Sequence, residues 1–106
     1  MIDEKSIQDL RDRITAECQP ERIILFGSYA YGIPGADSDV DILVIVGQGD
    51  SGPKKAAEIL SRINPHIPVD LVVRTGDEVK SRLLANDFFL AEILNNGRSL
   101  YEAPNP

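Results

Sequence analysis

Apolar positions along this chain switch repeatedly between a helical period and an alternating or continuous one, and the switches mark out its elements. Ile7, Leu10, Ile14 and Cys18 recur at helical spacing, which predicts a helix from about Asp3 to Glu17 that Pro20 stops. Arg22 to Phe26 then reads as a first strand that turns at Gly27-Ser28 into a short helix. Ile33-Pro34-Gly35-Ala36-Asp37 is a turn-rich connector, and Asp39 to Val46 predicts a second strand. Pro53 suits a helix start, Ala56, Ile59, Leu60 and Ile63 supply the apolar face, and Asn64-Pro65 closes that helix. Ile67 to Val73 predicts a third strand. Thr75-Gly76-Asp77-Glu78 reads as a cap ahead of Val79, Leu83 and Leu84, and the helical pattern continues from Phe88 to Leu94 until Asn96-Gly97. Ser99-Leu100-Tyr101 adds a short final strand. The order predicts an α/β (α+β) fold, a small mixed sheet with helices packed mainly on one face, in one domain spanning residues 1–106.

Composition narrows the partners. A chain of 106 residues with 42% hydrophobic and 26% charged residues can bury one modest core, alone or in a homo-oligomer. A net charge of -6 argues against a broad nucleic-acid surface, because neutralising many phosphates needs clustered Lys and Arg. Met1-Ile2-Asp3-Glu4-Lys5 lacks the basic-then-apolar pattern of a signal peptide, and no apolar run is long enough to span a bilayer, so a cytoplasmic location is expected. Cys18 stands alone, which excludes an internal disulfide and a cysteine-based zinc site.

The chemistry concentrates in two stretches. The first apolar run ends at Gly27-Ser28, where free N–H groups and the positive end of a short helix favour an oxyanion. In the second strand, alternation sends Asp39 and Asp41 to one face while Val40 and Ile42 go to the other. Asp70 interrupts the third apolar run, and neighbouring strands lie about 4.8 Å apart, so a third carboxylate reaches the same site if the strands pair. Three acids so close repel one another unless a cation compensates them. Mg²⁺ suits an all-oxygen set of this kind, held by carboxylates and substrate phosphates together.

Each piece has an ordinary reading when taken alone. Gly27-Ser28 fits any strand-to-helix turn, the two acids fit the wet face of an edge strand, and Tyr29, Tyr31, His66 and the run Phe88-Phe89-Leu90 fit packing, turn and core or interface roles. Three decoys also compete. Gly47-Gln48-Gly49-Asp50-Ser51-Gly52 matches a dinucleotide-binding loop literally, but that fold starts on a strand buried on both faces, whereas this one carries Asp39 and Asp41. Pro53 stands where a P-loop needs its lysine, and Ile42 where an EF-hand needs its glycine.

Gly27-Ser28, a ten-residue spacer and Asp39-Val40-Asp41, with Asp70 downstream and Asn96-Gly97-Arg98-Ser99-Leu100-Tyr101 at the close, resemble the minimal nucleotidyltransferases of the DNA polymerase beta-like superfamily. The resemblance implies a polymerase palm-like fold and a nucleoside monophosphate, AMP from ATP, transferred to a hydroxyl. It further implies two Mg²⁺ ions on Asp39, Asp41 and Asp70, with Asp70 near the attacking hydroxyl and Gly27 and Ser28 around the outer phosphates. Members of this size often pair with a small helical HEPN protein as toxin and antitoxin, and some modify a tyrosine of that partner. Many carry arginine near the positions of Tyr29 and Tyr31, so this chain lacks a phosphate-binding cation there. The alternative is a catalytically weak antitoxin module that binds its partner through an apolar surface around Phe88, Phe89 and Leu94.

Overall fold

The computed structural model describes residues 2–104. Helix α1 (Glu4–Cys18) starts where the Asp3 carboxylate accepts the Ser6 N–H and stops where Gln19 turns left-handed at φ 47°. Strand β1 (Arg22–Phe26), the single turn α2 (Ser28–Tyr31) and strand β2 (Val40–Val46) follow. Helix α3 (Gly52–Ile63) carries Pro53 in its first turn, as the sequence predicts, and ends at a left-handed Asn64. Strand β3 (Val69–Thr75), helices α4 (Gly76–Leu84) and α5 (Phe88–Asn96), and strand β4 (Arg98–Glu102) complete the chain.

The four strands run in the order β3-β2-β1-β4, with β1 antiparallel to both neighbours and β2 parallel to β3 through the α3 crossover. The mixed sheet is thus as expected, but the helical layer is more even than the sequence suggests. Helices α1 and α3 cover the larger cluster, with Ile7, Leu10, Ile14, Ala56 and Ile59 packed on Ile23, Leu25, Val40, Ile42 and Val44. Helices α4 and α5 cover the opposite face, where Val79, Leu90 and Ile93 pack on Ile24, Phe26, Leu43 and Ile45. The reason lies in β1 and β2, which are apolar at both parities; a central strand of that kind must be covered on both sides.

Element boundaries also shift. The third strand starts at Val69 instead of Ile67, because Pro68 has no N–H to give and only its carbonyl serves the sheet, accepting from Val40 N at 2.9 Å. The helical pattern after Thr75 breaks in two at residues 85–87, where Asn86 takes φ 62° and Asp87 caps α5 by accepting the Leu90 N–H. The break leaves Leu84 and Phe88 facing solvent at 87% and 83% exposure, while Leu90 is buried. Among the described residues no helix is long and apolar enough to cross a membrane.

Candidate active site

Strand β1 ends at Phe26, and Gly27 turns the chain with φ 72° and ψ -154°, a backbone region that side chains with a Cβ strongly disfavour. Its carbonyl accepts the N–H groups of Ala30 and Tyr31 at 3.0 and 3.1 Å. The N–H groups of Ser28 and Tyr29 have no acceptor among the described residues. With only four residues, α2 has little macrodipole, so the oxyanion affinity expected of this turn rests on those directed donors. Tyr29 packs against the larger core and its hydroxyl accepts the Ile2 N–H at 3.1 Å, which ties α2 to the start of α1. Tyr31 stands 45% exposed at the end of the turn.

The sheet register brings the acids to this turn. Asp41 pairs with Phe26 on one side and with Asp70 on the other, so Phe26, Asp41 and Asp70 form one row across three strands and point to the face that α4 and α5 cover farther along. Asp39 lies two residues upstream, before β2 begins, with the same parity. Burial, then the neighbouring charges of Asp70 and Asp39, push the Asp41 carboxyl above its ordinary range. Asp41 is half-buried, whereas Asp39 and Asp70 are exposed. The contact between turn and strand is intimate: a Cβ built on Gly27 would overlap Asp41 Oδ2 and come within 3.0 Å of Cγ. Glycine is therefore required at 27 on two separate grounds.

The three carboxylates make no hydrogen bond or ion pair among the described residues. Nor are three His, Cys, Asp or Glu side chains drawn into a metal-binding cluster there, so the acids share a rim without being gathered around a point. The donor set nevertheless suits a hard cation: all oxygen, unpartnered, mutually repelling, with the inner carboxylate seated in a cradle that a Cβ would fill.

Several basic residues have definite places in the fold. Lys54 and Lys55 follow the far end of β2, Arg74 pairs with Ile45 at that same end, and Arg82 sits 3.6 Å from Asp87. One feature escaped the sequence pattern: Phe26, read only as the end of a strand, is the direct neighbour of Asp41, with Phe89 packed against it at 5.6 Å between ring centroids. A cavity of about 320 Å³ between α1 and the α3–β3 connector, lined by Leu10, Arg13, His66 and Ile67, touches none of the row residues.

The glycine-rich decoy occupies the far end of β2, at the entry to α3. Its dismissal on strand burial does not hold, since β2 is buried on both faces from Ile42 onward. A different observation weighs against it: the Glu21 carboxylate lies over Gly47, 2.8 Å from where a Cβ would be, and an acid there repels a pyrophosphate.

A strand-turn-strand unit that sets Gly-Ser beside an Asp-x-Asp strand and a parallel acidic neighbour defines a class, and residues 4–98 match the nucleotidyltransferase domain family. The chain belongs to that family. Among solved structures, it is similar to a candidate nucleotidyltransferase from Sulfolobus solfataricus, with 25% identity and a TM-score of 0.57 over 74% of this chain and 70% of that one. It is also similar to a toxin-antitoxin with AMP-PNP, at 26% identity and a TM-score of 0.53 over 96% and 75% of the two chains. A mutant of the toxin-antitoxin MntA-HpeT shares the fold, at 21% identity and a TM-score of 0.53 over 91% and 73%. No curated protein matches the chain.

Proposed function

We propose that this chain, acting as one catalytic domain in the cytoplasm, transfers AMP from ATP to a hydroxyl acceptor and so serves as an antitoxin, the acceptor being a tyrosine of a small helical HEPN-type partner. The observation that carries the reading is Asp41, held in register beside Asp70, raised by burial and by its acidic neighbours, and seated where Gly27 leaves room. A similar toxin-antitoxin whose structure holds AMP-PNP supports an adenine nucleotide and a toxin as the partner.

In this reading Asp39, Asp41 and Asp70 hold Mg²⁺, two ions as in the resemblance, and the free N–H groups around Gly27-Ser28 receive the outer phosphates. When bound, the ions supply positive charge against the triphosphate and the charge that develops on pyrophosphate as it leaves. The acceptor oxygen forms a bond to the α-phosphorus while the bond from that phosphorus to the pyrophosphate oxygen breaks. Asp70, exposed at the edge of the row, takes the acceptor's proton. The chain's own part is chiefly positioning and charge, without a covalent intermediate.

Incubation with labelled ATP, Mg²⁺ and the product of the adjacent gene tests the reading. Label on the partner is expected, and Asp41→Asn should abolish it while leaving the fold intact; transfer that persists in Asp41→Asn refutes the assignment. A second reading, an antitoxin that neutralises by contact alone, draws support from Leu84 and Phe88 at the exposed α4–α5 corner, though Leu94, expected on that surface, is half-buried in the smaller core. Complex formation without label transfer decides for it.

A further inference from the structure

The row of carboxylates does not end at Asp41. It continues through Phe26 to Phe89, and the two rings meet edge to face at 88°. Phe26 is only 6% exposed, so its surface is consumed by packing. Phe89 is 55% exposed even though its neighbour holds it in place, and the helix that carries it is anchored separately by Leu90 and Ile93. The chain thus keeps an oriented, half-exposed aromatic ring on the side chain that neighbours Asp41 in the sheet. Phe26 is the cross-strand neighbour of Asp41, and Phe89 lies 5.6 Å from it ring to ring, so a single side chain separates Phe89 from the acidic strand, a separation within the length of a nucleotide.

We propose that Phe89 is the platform on which the base of the bound nucleotide stacks. The inference rests on the nucleotide reading above and adds the recognition of the base to it. Phe26 acts as a positioning residue, since it touches Phe89 and Asp41's strand together and sets the distance between base and phosphates. Every nucleobase offers a π-face, and a phenyl ring has no hydrogen bond with which to choose among them. The platform therefore favours a nucleoside triphosphate over a bare triphosphate without separating adenine from guanine.

Calorimetric titration of the full chain in Mg²⁺ with ATP, GTP and inorganic tripolyphosphate tests this. The wild type should bind ATP and GTP alike and both about 10-fold or more tightly than tripolyphosphate, the range of one stacked base. Phe89→Ala and the apolar but non-aromatic Phe89→Leu should close that gap and leave tripolyphosphate binding as it was, whereas Phe89→Tyr should restore it. ATP binding unchanged in Phe89→Ala overturns the proposal, including the case in which only association with a helical protein is lost. So does an equal loss for ATP and tripolyphosphate, which marks a structural role. A wild type that binds ATP no better than tripolyphosphate leaves the nucleotide site standing and removes the platform; a wild type that binds neither removes both.

Discussion

Gly27→Ala is the sharpest test of how the site is built, because two costs of different origin meet at one methyl group. The backbone at φ 72° and ψ -154° is nearly closed to residues with a Cβ, and holding alanine there costs about 1–3 kcal/mol. The new methyl also overlaps Asp41 Oδ2, and the half-buried carboxylate can yield only by leaving its rotamer, at about 0.5–1.5 kcal/mol. Together these amount to about 2–4 kcal/mol, a fall in thermal midpoint of roughly 8–15 °C for a domain near this size. The two parts separate in a double-mutant cycle. In an Asp41→Ala background the overlap is gone and the backbone cost stays, so Gly27→Ala should cost about 1 kcal/mol less there than in the wild type. Thermal unfolding without metal measures the stabilities, and Mg²⁺ titration reads the displaced carboxylate as lost affinity. A Gly27→Ala protein that melts within about 2 °C of wild type and binds Mg²⁺ normally would refute the close approach of turn and strand.

Asp41→Asn should raise the midpoint of the metal-free protein at neutral pH, since the native carboxylate is penalised by burial and by Asp70 and Asp39. A raised folded pKa gives stability that is complete below the ordinary 3.8 and is lost as pH rises through the folded value, so the wild type should melt higher at mildly acidic pH than this trend permits in the variant. Equal pH profiles for the two would count against the coupling. Gly97→Ala meets no backbone strain at φ -69°, yet its methyl would press on the Ile93 carbonyl oxygen, on Ile24 Cγ2 at 2.7 Å and on the Leu25 carbonyl oxygen at 2.9 Å; a loss of about 1–3 kcal/mol in chemical denaturation is expected. Thr75→Ala removes half of the capping box in which Thr75 Oγ1 accepts the Glu78 N–H and Glu78 accepts the Thr75 N–H, and should cost about 1 kcal/mol by the same measurement.

Local signals were legible in the chain because their physics is local. Asp3, Pro53, Asn64 and Thr75 mark helix ends through their own side chains or dihedrals, and the structure uses each of them so. The pairing of Asp41 with Asp70 was also within reach, since an acid inside an apolar strand needs a reason to be there. What stayed hidden depends on contacts far apart in sequence. Nothing in Leu83, Leu84 and Phe88 reveals that a left-handed Asn86 splits their helix and turns them outward, because their spacing suits a continuous apolar face. One of the two grounds for glycine at 27 is a carboxylate fourteen positions later, and the coverage of both sheet faces follows from β1 and β2 lying at the centre, which no periodicity announces.

That central placement sets how the acids behave in time. Strand β2 is hydrogen-bonded along both edges, to β1 and to β3, and its residues from Ile42 to Val46 are all buried. Amide protons there can exchange with solvent only when the entire sheet comes apart, whereas those at the corner near Asn86 escape through small, local openings. Asp41, in the second position of this strand, is therefore tied to the most protected part of the fold, and any sequence change that erodes global stability, however distant, raises the fraction of time for which its strand is open.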